Sequence, residues 1–182
     1  MVPGQLVLIH DDAKARPEYP DHALYLAAVT DLEQVGDKNP PAIAFRGDPY
    51  AGITCPVEDV AALALRMARG RLPVRLVVDE MDQAVSDGGR KLEAPSLRAC
   101  FVTGRTMGLS VVCNVQQPQR MPEVASQASS VGFFRLEPAA LAYVAERFSV
   151  DPEIMSLVPH LPNGDFVLHR PGFPWDRRIY RF

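Results

Sequence analysis

Along the 182 residues, short apolar runs that end in a polar or turn residue alternate with stretches carrying apolar residues at helical spacing. Gln5 to His10, Ala42 to Phe45 and Arg75 to Asp79 read as buried strands of a parallel sheet, because each is a nearly continuous apolar run. Pro56 to Arg69 predicts an amphipathic helix. It opens on proline, places Glu58 and Asp59 in the first turn, sets Val60, Leu63, Ala64 and Met67 on one face and stops at Gly70. Pro95 to Met107 predicts a second helix closed by Gly108, and Leu109 to Val115 a strand leading into Gln116, Gln117 and Pro118. A short helix after Pro122 up to Ser130, a strand Gly132 to Leu136, a helix Pro138 to Phe148 and a turn starting at Pro152 follow. Asp165 to Arg170 and Arg178 to Phe182 read as final strands, separated by the Pro and Gly rich loop Pro171 to Pro174. The alternation predicts an α/β fold with a parallel-rich sheet flanked by helices, in a single domain over 1–182 without repeats or linkers.

Composition narrows the class. Hydrophobic residues make up 47% and charged residues 23%, ordinary for a globular domain, and no apolar run reaches the roughly 18 residues that would span a bilayer. The run Leu6 to Ile9 is too short for a secretion signal and meets Asp11 and Asp12 at once. Cys55, Cys100 and Cys113 lack metal-ligand spacing, and two lie in apolar stretches, as reduced buried thiols do. A cytoplasmic setting is expected. The net charge of −3 offers no global attraction to nucleic acid, although arginine supplies sixteen of the nineteen basic residues. That bias suits phosphate contacts and subunit interfaces. A GC-rich coding sequence would produce it equally.

Candidate chemistry starts at Arg75 to Gln83, R-L-V-V-D-E-M-D-Q, an apolar strand ending in Asp79 and Glu80. Nucleotide hydrolases end one strand on such an acid pair, the first carboxylate holding magnesium and the second polarising the attacking water. A strand that merely stops at an acidic turn would look the same. Asp82 and Asp87 have no motif around them and read as surface acids. Gln116 sits at the carboxyl end of a strand, where open α/β sheets place their ligands, and its simpler reading is a strand-end cap. Arg98 and Arg105 are seven residues apart in the predicted helix, hence on one face, either as solvated arginines or as a pair presented to a neighbour.

The segment from Gly104 to Pro122, G-R-T-M-G-L-S-V-V-C-N-V-Q-Q-P-Q-R-M-P, resembles the FtsK/HerA type of P-loop ATPase. There a helix ends in Gly-Arg shortly before another glycine, and the next strand ends in Thr-Gln-Arg-Pro. The corresponding residues are Gly104, Arg105, Gly108, Val115, Gln116, Gln117 and Pro118, with Val115 in place of the hydroxyl residue and Gln117 in place of the arginine. The later V-G-F-F-R-L, A-L-A-Y-V-A-E-R-F and L-P-N-G-D-F-V-L are similar to compact viral and phage members. The resemblance implies a RecA-like fold and an ATPase module of a ring-forming DNA translocase, for genome packaging or DNA transfer. It further implies ATP and magnesium as cofactors, double-stranded DNA gripped without sequence reading, and a homo-oligomeric ring. Asp79 would position magnesium, Glu80 activate water, Gln116 sense the γ-phosphate, and Arg105 act across a subunit interface.

One expected part is missing. No segment satisfies G-x-x-x-x-G-K followed by Ser or Thr, the loop whose amides wrap the phosphates. Lys14, Lys38 and Lys91 all lie in the wrong context, and the family pattern would put the loop and its strand ahead of the strand at Leu6. The chain therefore reads as a truncated or degenerate copy, without ATPase activity as it stands. The alternatives are a P-loop-less structural subunit and an assembly ATPase of the filamentous-phage kind. Loss of a strand from the sheet would expose apolar surface.

Overall fold

The computed structural model describes residues 6–11, 24–26, 42–46, 56–70, 73–79, 81–84 and 92–181. In chain order the regular elements are β1 (Leu6–Asp11), β2 (Leu24–Leu26), β3 (Ala42–Arg46), α1 (Val57–Arg69), β4 (Val74–Val78), α2 (Pro95–Thr103), β5 (Leu109–Cys113), β6 (Val131–Phe133), α3 (Pro138–Phe148), α4 (Pro152–Leu157), β7 (Asp165–His169) and β8 (Ile179–Arg181). Five strands form an all-parallel sheet in the order β2-β3-β1-β4-β5. The last three form a separate antiparallel sheet, β6-β7-β8. The expected parallel-rich α/β architecture is present. The expected final strands pair with one another as local hairpin-like neighbours and stand apart from the parallel sheet.

In the parallel sheet, β4 pairs with β1 through Leu6↔Val74 to His10↔Val78 and with β5 through Val74↔Leu109 to Val78↔Cys113. Val74, Leu76 and Val78 are buried, whereas Arg75 and Val77 on the other face are half-buried. A strand closed over on both faces was expected from its apolar run. The observed alternation marks one dominant core face. That face receives α1, packed on β1 and β4, and α2, packed on β5 and on α1. Val60, Ala61 and Ala64 are wholly buried on α1 and Leu97 on α2, and each larger apolar side chain so buried stabilises the fold by about 1.5–3 kcal/mol.

Both ends of α2 are set by contacts outside the helix. Its N-cap position is Ala94, which offers no side-chain cap. The orphan N–H groups of Ser96 and Leu97 donate instead to the Glu58 carboxylate on α1, Ser96 at 2.8 and 2.9 Å and Leu97 at 3.3 Å. One acid in the first turn of α1 thus closes the amino end of the next helix. At its far end the α-helix stops at Thr103, and Gly104–Met107 is a tighter 3-10 turn. A Cβ on Gly104 would lie 2.8 Å from Leu109 Cδ2 and 3.3 Å from the Leu109 carbonyl, and Gly108 has φ 75. Both glycines of the motif have a steric purpose, one for close approach and one for a left-handed turn.

Residues 131–181 pack Phe133 of β6 edge-on to Phe148 of α3 at 6.4 Å between ring centroids. The buried His169 of β7 donates from Nε2 to the Phe148 carbonyl, 3.0 Å away. On the outer face Phe134, Phe166 and Tyr180 form a row with centroids 5.1 and 5.3 Å apart. Arg181 pairs with Asp165 at 2.9 Å, and this bond holds the Asp165 carboxyl below its usual range. Among the described residues, no helix is long and apolar enough to cross a membrane.

The cap between α1 and α2 can be tested directly. Glu58→Ala leaves three N–H contacts without their acceptor and is expected to destabilise the fold by about 2 kcal/mol. Urea denaturation should show a lower midpoint at unchanged slope, with Glu58→Gln recovering part of the loss.

Candidate functional site

β4 and β5 run parallel, so the polar residues that follow each strand emerge on the same edge of the sheet. Asp79 follows β4 directly and is half-buried. Its Oδ1 accepts a 2.9 Å hydrogen bond from Asn114 Nδ2 at the end of β5. The Asn114 N–H donates to the Val78 carbonyl at 3.0 Å, and the Asn114 carbonyl accepts from Met81 N–H at 2.9 Å. Glu80, the expected water-activating residue, lies outside the described residues, as do Asp87, Cys55 and the three lysines.

Gln116 is exposed two residues beyond Asn114. Its N–H donates to Asp82 Oδ1 at 3.2 Å. Asp82 is only 4% exposed, which corrects its reading as a surface acid. The physical reason is the 3-10 turn Met81–Ala84: Met81 is wholly buried and draws the turn onto the core, carrying Asp82 beneath the β5 exit. The structure therefore brings Asp79 and Gln116 to one edge and adds Asn114 and Asp82 between them.

The two arginines lie elsewhere. Arg105 is exposed in the turn that precedes β5, so it stands at the amino end of the strand whose carboxyl end leads to Gln116. A five-residue strand rising about 3.3 Å per residue separates them. Arg98 and Arg105 do not share one continuous α-helix face, because the helix gives way to the 3-10 turn between them. Arg98 lines an open cleft of about 350 Å³ with Val102, Pro122 and Glu123.

Beyond Gln116, Pro118–Arg120 forms another 3-10 turn, and α3 holds the segment down. Arg147 Nη1 donates to the Met121 carbonyl at 2.9 Å and to the Tyr143 hydroxyl at 2.8 Å, with the guanidinium 5.6 Å from the centre of the Tyr143 ring. Reading the sequence missed Asn114, Asp82 and Arg147. Asn114 had one available signal, as the polar residue that ends the apolar run of β5. Asp82 had another, the apolar Met81 set between acids. Arg147 had none, because its partner is a backbone carbonyl.

Among the described residues no group of three or more His, Cys, Asp or Glu comes together as a metal cage. A single half-exposed carboxylate at a strand end fits magnesium, which keeps waters and takes one or two protein carboxylates beside phosphate oxygens. Among the described residues β5 stands at the margin of the five-stranded sheet, and its Val112 is 50% exposed.

Comparison with solved structures decides the fold. The genome packaging NTPase B204 from Sulfolobus turreted icosahedral virus 2, in complex with AMPPCP, superposes with a TM-score of 0.69 at 16% sequence identity, over 97% of this chain and 81% of that one. The fold is that of a viral genome-packaging NTPase. The ATP-gammaS complex of B204 gives a TM-score of 0.67 at 16% identity over 98% and 81% of the two chains. B204 from Sulfolobus turreted icosahedral virus, described as a DNA-packaging ATPase, gives 0.64 at 15% over 96% and 80%. No family model matches this chain, and no curated protein matches it.

Thiol reactivity checks the packing around this edge. Burial, with the nearby Glu58 carboxylate, pushes the Cys100 thiol up to about 12, against a backbone hydrogen bond that lowers it, and burial pushes Cys113 up to about 11. Alkylation proceeds through the thiolate. Iodoacetamide at pH 8 is therefore expected to leave both thiols unmodified in the folded protein and to label both in urea, read by mass spectrometry of the digested peptides.

Proposed function

We propose that this chain is the NTPase module of a DNA-packaging motor of the FtsK/HerA type, whose 182 residues do not include the phosphate-binding loop. The observation that carries the reading is the meeting of the β4 and β5 exits. Asp79 and Gln116 share one edge of a parallel sheet of packaging-NTPase fold, and Glu80 is next to Asp79 in sequence. ATP is the expected substrate and double-stranded DNA the expected partner. In this reading Asp79 holds magnesium, which would offset the charge on the β and γ oxygens. Glu80 takes a proton from the attacking water, and the Gln116 amide, both donor and acceptor, orients that water or the γ-phosphate.

The margin position of β5 supports the same account. A parallel sheet is ordinarily covered on both faces and flanked at its margins, and β5 offers a short, uncharged strand with an exposed valine. A strand, loop and helix supplied beside β5 would bring phosphate-binding amides to the edge that carries Asp79 and Gln116. The 182 residues alone are expected to bind ATP no more tightly than about millimolar. A fusion carrying a strand, a G-x-x-x-x-G-K-Thr loop and a helix ahead of β1 is expected to bind magnesium-ATP at micromolar concentration by calorimetry. It should hydrolyse ATP faster with duplex DNA, and Glu80→Gln should lower turnover about a hundredfold while keeping binding. A folded fusion that does not bind ATP would instead support a non-catalytic structural subunit, the second reading that the missing loop favours.

The placement of Arg105 away from Asp79 and Gln116 supports a role toward a neighbouring subunit of a homo-oligomeric ring. In the fusion, Arg105→Ala should abolish hydrolysis and preserve ATP binding. Mixing Arg105→Ala with Glu80→Gln subunits should restore part of the activity, because some interfaces then pair an intact Glu80 with an intact Arg105. Mixed rings that recover nothing would remove Arg105 from the mechanism.

A further inference from the structure

The exits of β4 and β5 are joined by side chains that cross in opposite directions. Asn114, from the β5 side, donates its amide to Asp79 at 2.9 Å, and Asp82, from the β4 side, accepts the Gln116 N–H at 3.2 Å. Two main-chain bonds lie between them, Asn114 N–H to the Val78 carbonyl and Met81 N–H to the Asn114 carbonyl. The ladder itself ends at the Val78↔Cys113 pair, three residues before Gln116. Asp82 supplies an acceptor for its N–H from a buried position. Burying a carboxylate is costly unless hydrogen bonds compensate it, and an ordinary surface turn does not require one. On its other side Gln116 is followed by Gln117 in extended conformation and by Pro118, which opens a 3-10 turn. The backbone of Gln116 is thus fixed from both directions while its side chain stands exposed.

We infer that Asp82 is a positioning residue for Gln116, and that Asp82 and Asn114 together form a reciprocal clasp that makes the acid end of β4 and the glutamine of β5 one rigid unit. Asp82 touches neither nucleotide nor water in this account and acts only through Gln116. The inference rests on the reading of Gln116 as the phosphate-facing residue, and its test has one arm that does not depend on that reading.

The first arm is amide hydrogen exchange by NMR on the chain itself. Gln116 should exchange more slowly than the neighbouring exposed Gln117. Asp82→Ala should speed Gln116 exchange by about tenfold, as expected for one lost hydrogen bond to a charged acceptor, without changing Val77 within β4. Asp82→Asn, whose side-chain oxygen can accept the same bond, should return Gln116 to near the parent rate. Gln116 exchanging as freely as Gln117 in the parent chain overturns the clasp, and this comparison stands even if Asp82→Ala does not fold. Unchanged Gln116 exchange in a folded Asp82→Ala chain overturns it as well.

The second arm measures turnover in the loop-bearing fusion. Asp82→Ala should lower the ATP hydrolysis rate about tenfold with ATP affinity unchanged, and Asp82→Asn should restore it. Parent-like turnover in Asp82→Ala removes Asp82 from the reaction. A parent fusion that binds ATP but never hydrolyses it refutes the NTPase reading, and the exchange arm then decides the clasp alone.

Discussion

The apolar face of β4, built from Val74, Leu76 and Val78, is the constraint on which the described structure depends. It lies between β1 and β5, so its register sets both neighbours, and its burial under α1 and α2 fixes which side of the sheet becomes the core. A shift of one residue would turn Arg75 and Val77 inward and Leu76 outward, so the sheet tolerates a single register. That register also delivers Asp79 and Asn114 to the same edge within hydrogen-bond reach. The chemistry proposed for this edge is therefore a consequence of how an apolar face is buried several residues earlier.

Periodicity made the helices and the central strands legible. Pro138 to Phe148 matches α3 residue for residue, and the strands around Leu6, Ala42, Arg75 and Leu109 lie within a residue or two of where the apolar runs place them. β2 has only three residues, too few for a pattern to stand out. The last turn of the helix expected up to Met107 became a 3-10 turn, because Gly104 permits an approach to Leu109 that a helix continuing over a larger side chain would not. Periodicity reports which side chains face the core, and it says little about how a backbone tightens around one glycine.

The candidate site divides in the same way. Asp79 and Gln116 were visible because strand ends are marked by a change from apolar to polar. Asp82 was misread for an equally physical reason. The apolar Met81 between acids was its one sequence signal, and it is outweighed because an aspartate is on average a surface residue. Glu58 gives a parallel case, since its value to α2 depends on a helix that begins almost forty positions later along the chain, at Pro95. Interactions between residues distant in sequence and carried by single hydrogen bonds leave no periodic trace. They are where a reading from sequence alone stops.

The division of the strands into two sheets also shapes how the chain reaches its fold. β7 and β8 pair across a short stretch of chain, from Asp165↔Arg181 to Val167↔Ile179, whereas α3 and α4 lie between β6 and β7. β1 must instead insert between β3 and β4, and Leu6 must meet Val74 across most of the first half of the molecule. Long closures lose more chain entropy before any contact compensates, and they slow folding accordingly. The pairing of β7 with β8 is thus the one able to organise locally. The parallel sheet, with the edge that carries Asp79 and Gln116, depends on the long closure of β1 onto β4.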